Sequence, residues 1–236
     1  MDYAAWEPIY ERIVEDFGFD QAADRRARDL LAAAVSPFPR SRLDFEAQQV
    51  AIAGGSTKLE AELDAVRQAD RVVAISGAAA VLEEAAVRPD LVVTDLDKTP
   101  ETAIDLSKRG VPVAVHAHGD NIPLIETYLP QFDPEQVLAT TQVEPTETVA
   151  NFGGFTDGDR GAFIASAFGA GGLSFPGWDL SDETVDADKA RKLLWAARLL
   201  RCLERRRGER FPPLDGRRSD LDRFPPDRPF RCEPDE

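Results

Sequence analysis

The chain predicts an α/β protein: a three-layer, mostly parallel sheet with N-terminal helices and a C-terminal helix. Short apolar, β-branched runs alternate with helix-like segments from residue 49 onward, the spacing that parallel strands and crossover helices require. Each run then ends in small or polar residues: Gly54-Gly55-Ser56-Thr57, Ser76-Gly77, Asp95 with Asp97, and His116, His118 with Asp120. Ligands of open α/β sheets bind beyond the carboxyl ends of the strands, so these four clusters belong on one rim of a Rossmann-like sheet.

Residues 1–48 read as a helical segment with a proline-marked break at "SPFPR". The α/β domain spans 49–207. Its first strand is Val50–Ala53, followed by "GGST" and a helical stretch ending near Ala69. "RVVAI" leads into "SGAAAVLEEAA", "DLVV" into "TDLDKTPETAIDLSKRG", and "VPVAV" into "HAHGDNIPLIETYL". Gly110 fits the residue just past a helix end. "QVLATTQ" supplies a fifth strand and "GGLSF" a sixth. In "DADKARKLLWAARLLRCLERR", Leu193, Ala196, Ala197, Leu200 and Leu203 repeat at a helical period, the pattern of an amphipathic helix on the core. The Pro- and Arg-rich tail, 208–236, has few apolar residues and is expected to be extended or disordered.

The chain carries a formal charge of −15 and only five lysines. That balance excludes general binding to a nucleic-acid backbone. The acidic residues are scattered, which suits a solvated surface of halophilic type better than a cationic partner. No apolar run approaches the roughly 18 residues of a membrane helix, and the acidic N-terminus is unlike a signal peptide, so no membrane partner and a cytoplasmic location are expected. Cys202 and Cys232 are too few for a disulfide framework or a zinc cluster. A homo-oligomer stays open.

The rim clusters carry the chemistry. Alternation out of a strand end would point Asp95 and Asp97 the same way, as oxygen ligands for Mg²⁺; a helix cap plus a turn residue is the plainer account. The same alternation puts His116 and His118, the chain's only histidines, on one side, with Asp120 following past Gly119. Imidazoles there suit phosphate oxygens or a transition metal, whereas the plainer reading is two polar loop caps. In "GGFTDGDRGAFIASAFG", Asp157 or Asp159 can cap a helix, Arg160 offers a phosphate-binding fork, and Gly153 and Gly154 permit close backbone approach. "AGGST" lacks the spacing of a Walker A loop, although backbone amides at Gly54, Gly55 and Ser56 suit an anion. Trp178 and Asp179 in "PGWDL" read as a turn.

Taken in order, "PDLVVTDLDK", "VHAHGDN", "TTQ" and "GGFTDGDR" resemble the archaeal-type 6-hydroxymethyl-7,8-dihydropterin pyrophosphokinases, related in fold to the nucleotide-binding part of thiamine pyrophosphokinases. The resemblance covers about residues 48–205. It implies transfer of the terminal pyrophosphate of ATP to the hydroxymethyl group of a dihydropterin, with AMP released, Mg²⁺ required, and folate or methanopterin synthesis served. On this likeness Asp95 and Asp97 are metal carboxylates, Asp120 a further metal and catalytic residue beside Asn121, and Asp157 a fourth contributor. His118 joins Asp97 and Asp120 as a catalytic candidate; Gly54, Gly55, Ser56, Ser76, His116, Asn121, Asp157 and Arg160 are candidates for contact with ATP or the pterin. Two positions depart from the family pattern: Lys98 stands where "DLDG" has glycine, and Ser76 where an Asp often precedes Gly-Ala. Asp97 and Asp120 are expected to share one divalent cation. Rival readings are a pyrophosphokinase for thiamine or another alcohol, a metal-dependent phosphohydrolase, and a non-catalytic nucleotide-binding protein, the last motivated by Ser76.

Overall fold

A computed structural model describes residues 1–223. In chain order the elements are α1 (Tyr3–Phe17), α2 (Gln21–Ala34), β1 (Gln49–Ala53), α3 (Leu63–Arg67), β2 (Arg71–Ile75), α4 (Ala78–Glu84), β3 (Leu91–Thr94), α5 (Pro100–Lys108), β4 (Val113–Ala117), α6 (Ile122–Tyr128), β5 (Val137–Thr141), α7 (Asp157–Ala167), β6 (Gly172–Ser174), α8 (Ala187–Arg207) and α9 (Arg218–Asp222). All six strands pair in parallel, in the order β5-β4-β3-β2-β1-β6.

That order explains the layers. From β1 to β5 each strand lies beside the last, and right-handed crossovers then stack the intervening helices on one face. The step from β5 to β6 returns across the sheet, so α7 crosses the opposite face. Strands β1 to β5 are buried on both sides apart from the first residues of β1 and β2, β6 is a short partly exposed edge, and alternate residues divide between two cores. Val50, Ile52, Val73, Ile75, Leu91 and Val93 pack toward α1, α7 and α8, with Trp6, Phe163 and Trp195. Ala51, Ala53, Val72, Val92, Val113 and Val115 pack toward α2 and α3–α6, with Leu31, Leu82 and Ile125. A slip of one residue in any strand would exchange these two sets, which fixes the register.

Local sequence sets the helix ends. Asp2 and Asp20 accept from Ala5 N and Ala22 N, both at 2.8 Å, and cap α1 and α2. Asp186 does the same for α8 through Lys189 N at 2.8 Å. Gly110 follows α5 at φ +80°, and its N–H donates to the Ser107 carbonyl at 2.8 Å. No helix among the described residues is long and apolar enough to cross a membrane.

The expected extended tail is corrected over its described part. Phe211, Leu214 and Leu221 are buried in the core that holds α8. Glu204, 1% exposed, accepts from Phe211 N at 2.6 Å and from Arg218 Nε and Nη2 at 3.0 and 2.6 Å. Three spaced apolar anchors around a buried ion pair thus hold a segment whose composition looks unfolded. The tail expectation for residues 224–236, Cys232 included, lies outside the described residues.

Candidate functional site

The β3 exit gathers the first two carboxylates by a turn, not by the strand alternation the sequence suggested. Thr94 Oγ1 accepts from Leu96 N at 2.9 Å, and Asp95 Oδ1 accepts from Asp97 N at 3.2 Å. Between them Leu96 is buried at φ +71°, a left-handed position that a branched residue adopts only under tertiary constraint. The third carboxylate comes from the opposite face. At the start of α7, Asp159 caps the helix, accepting from Phe155 N and Thr156 N at 2.6 and 2.9 Å. Gly154, at φ +90°, folds the preceding loop so tightly that a Cβ would stand 2.4 Å from Arg160 Cα. With capping assigned to Asp159, Asp157 is left to face the β3 exit. Ligand oxygens of Asp95, Asp97 and Asp157 lie within 4.8 Å of one another.

Three carboxylates so close cannot all ionise freely. Burial works against ionisation of Asp95, yet hydrogen bonding from His118 and then Asp97 outweighs it and holds this carboxyl well below the usual range. His118 Nε2 stands 3.6 Å from Asp95 Oδ2. Burial, followed by the neighbouring Asp95, pushes Asp97 up, while Lys98 and Ser76 pull the other way. Burial and then the charge of Asp95 raise Asp157 well above the ordinary value. An all-oxygen, negatively overcharged donor set fits a hard divalent cation such as Mg²⁺.

The "HGDN" turn supports this group from β4. Asn121 Oδ1 accepts from His118 N at 3.0 Å, while Asn121 Nδ2 donates to the carbonyls of Asp95 and His116 at 2.9 and 2.7 Å. One amide therefore pins the β3 and β4 exits together. The two imidazoles do lie together, with ring centroids 6.0 Å apart. His116 is buried, its Nδ1 3.2 Å from Thr140 Oγ1; desolvation, then Arg160 and His118, holds it well below the usual histidine value, hence neutral. Asp120 is exposed and its N–H faces His118 Nδ1 at 3.4 Å. It lies outside the carboxylate group: the partner that reaches Asp97 is Asp157, and the expected Asp97–Asp120 pairing is corrected on that point.

Other candidates also fall differently. Arg160 is buried, with Nη2 donating to the Phe155 carbonyl at 2.9 Å, so it is not displayed as an open fork. Gly54 N and Ser56 N donate to the carbonyls of Pro176 and Gly177 at 2.8 and 3.1 Å, which ties the β1 and β6 exits and removes two amides from anion binding; Gly55 is exposed beside them. Ser76, at φ +49°, directs Oγ to Asp97 Oδ1 at 3.4 Å. Gly153 is buried against Met1 and Phe163. Trp178 does more than turn the chain: Nε1 donates to the Ile52 carbonyl at 2.8 Å, and the ring is so close to Gly158 that a Cβ there would meet it at 2.8 Å. Sequence reasoning missed Lys189, which remains exposed in the first turn of α8. Desolvation and then Lys98 and Lys192 lower its pKa, while Asp157 and Asp97 pull the other way, so Lys189 stands within the field of the carboxylate cluster. No sequence pattern announces that, because α8 returns to the rim only through the β6 connection.

Fold and site define a class: parallel-sheet α/β proteins that assemble a three-carboxylate cluster, bordered by lysine and histidine, at the carboxyl rim. Within it, the chain belongs to the family described as 6-hydroxymethylpterin diphosphokinase MptE-like, whose model matches residues 29–184. It is similar to three proteins named 6-hydroxymethyl-7,8-dihydropterin pyrophosphokinase. The relative from Methanothermobacter thermautotrophicus is 36% identical over 225 residues, covering 87% of this chain and 96% of the relative. That from Pyrococcus furiosus is 38% identical, covering 77% and 79%, and that from Methanocaldococcus jannaschii 33%, covering 76% and 80%.

Proposed function

We propose that this protein transfers the terminal diphosphoryl group of ATP to the hydroxymethyl oxygen of 6-hydroxymethyl-7,8-dihydropterin, releasing AMP, as a cytoplasmic step of folate or methanopterin synthesis. The observation that carries this reading is the convergence of Asp95, Asp97 and Asp157 on one rim, in a chain whose relatives bear that activity in their names. The three carboxylates are the proposed holders of Mg²⁺, which when bound neutralises phosphate charge and polarises phosphoryl oxygens. Lys98, Lys189 and Lys192 supply the cations that let a chain of charge −15 receive a polyphosphate. The hydroxymethyl oxygen bonds to the β-phosphorus, the bond from that phosphorus to the α–β bridging oxygen breaks, and AMP leaves with the bridging oxygen. His118, whose Nδ1 accepts from Asp120 N and whose Nε2 faces Asp95, is the proposed orienting group beside the reacting phosphate, and the hydroxyl proton passes to water. Phe155, stacked obliquely with Phe17 at 5.2 Å between ring centroids and two positions before Asp157, offers an apolar wall for the flat acceptor.

Incubation with ATP, Mg²⁺ and the reduced pterin, followed by product identification, tests the reading. AMP and the pterin diphosphate are expected in equal amounts. Asp97→Asn should cut turnover at least 100-fold while shifting Tm by only a few degrees. Phosphate release without an acceptor would point to a hydrolase; AMP with thiamine in place of the pterin would change the acceptor; ATP binding without any AMP would leave a nucleotide-binding protein.

A further inference from the structure

The "HGDN" turn is held from behind by a helix distant in sequence. Asp24 of α2 is 3% exposed. Its Oδ1 accepts from Gly119 N at 2.7 Å, and its Oδ2 accepts from Tyr10 Oη at 2.5 Å and Gln142 Nε2 at 2.7 Å. Trp6 Nε1 donates to the Gln142 carbonyl at 2.7 Å, so α1 joins the same junction. Ala23 lies against Gly119 so closely that a Cβ at Gly119 would stand 2.5 Å from the Ala23 Cβ. From Gly119 the turn reaches the cation cluster by two short routes. His118 Nε2 lies 3.6 Å from Asp95 Oδ2, and Asn121 Nδ2 donates to the Asp95 carbonyl at 2.9 Å.

We propose that Asp24 is a positioning residue, and that the N-terminal helices are part of the frame of the site rather than an appendage to it. Apolar packing alone would let the turn slide along α2. A buried carboxylate receiving one backbone N–H fixes both its distance and its direction, because such a charge-assisted bond weakens steeply when misaligned. The turn so fixed holds His118 against Asp95, and thereby one ligand oxygen of the cluster. This rests on the cation reading of the site given above.

The test uses the full chain and Mn²⁺, with free ion counted by its paramagnetic resonance signal, alongside Tm and ATP–pterin kinetics at saturating Mg²⁺. Asp24→Ala should weaken Mn²⁺ binding at least tenfold and lower kcat at least tenfold, with KM for the pterin within twofold. Asp24→Asn, which keeps an acceptor oxygen for Gly119 N, should recover to within threefold of the unaltered protein. Tyr10→Phe leaves the Gly119 bond intact and should lower Tm without changing Mn²⁺ affinity. If Asp24→Ala does not fold, Gly119→Ala, whose Cβ would stand 2.5 Å from Ala23 Cβ and 3.4 Å from Asp24 Oδ1, pushes the turn off α2 while keeping the Asp24 carboxylate, and should weaken Mn²⁺ to the same degree. Unchanged Mn²⁺ affinity in Asp24→Ala or Gly119→Ala overturns the proposal, as does an equal loss in Tyr10→Phe. Normal Mn²⁺ binding by the unaltered protein without AMP formation would sink the proposed reaction, yet leave the positioning claim to be decided by the same affinities.

Discussion

Replacing Asp157 by Asn should stabilise the metal-free protein while abolishing its response to divalent cations. The oxygens of Asp157 lie within 4.8 Å of those of Asp95 and Asp97. At that separation and an effective dielectric of about 20, each like-charge pair costs about 3.5 kcal/mol. Asp97 is exposed and screened, and burial disfavours the ionised form of Asp157, so the net relief is on the order of 1–3 kcal/mol. For a domain of this size that corresponds to a rise in Tm of roughly 2–12 °C. The pH sense follows from the raised pKa: the native state holds its proton longer than the unfolded chain, so this group's stabilising share is full below the ordinary carboxyl value and is lost as pH rises through the folded value. The gain in Asp157→Asn should therefore be seen at pH 7 and vanish near pH 4. A cation at 100 times its dissociation constant adds about 2.7 kcal/mol to the unaltered protein, or roughly 5–11 °C. Thermal unfolding with and without 10 mM Mg²⁺, across pH, measures both effects. An unchanged Mg²⁺-induced shift in the variant, or a lower metal-free Tm at neutral pH, would refute the assignment of Asp157 to the cluster.

Three further outcomes are expected. Ser76→Asp, tolerable at φ +49° because aspartate enters that region readily, should tighten Mn²⁺ binding several-fold and lower the metal-free Tm; titration and melting check both. Glu204→Gln leaves Arg218 beside a neutral acceptor and should cost about 3 kcal/mol, read by urea unfolding, with kcat per folded molecule unchanged. Burial alone would raise the Glu204 carboxyl, but bonding from Arg218 and Phe211 N holds it below the ordinary value, so its contribution is present above the unfolded pKa and should fade in the unaltered protein as pH falls through the folded one. Phe155→Ala should raise KM for the pterin at least fivefold and leave KM for ATP within twofold in steady-state kinetics.

Strand positions were legible because Val, Ile and Ala runs such as "RVVAI" and "VPVAV" must be buried on both faces wherever helices cover a parallel sheet. Rim membership of Asp95, Asp97, His116 and His118 followed from that alone. What stayed hidden was set by contacts between distant segments. Leu96 takes a left-handed conformation that no local preference favours, and it, rather than alternation, aims the two carboxylates. The choice between Asp157 and Asp159 as cap is made by the loop that brings Phe155 N and Thr156 N onto Asp159. Asp24 looks like an ordinary helix-surface acid until α2 meets Gly119. The segment after Gly208 reads as polar because its apolar anchors are spaced among charges, and only the buried Glu204–Arg218 pair shows what they hold.

The return of the chain from β5 to β6 has a temporal consequence. Five neighbouring strands can form in succession during synthesis, but the ligand set waits for a long-range docking event, when α7 settles across the far face and delivers Asp157. A nascent or half-assembled chain therefore carries the Asp95–Asp97 pair without its third oxygen donor. On the proposed reading of the site, competence to capture a cation is thus a late acquisition, and it reports that α7 has docked on the sheet.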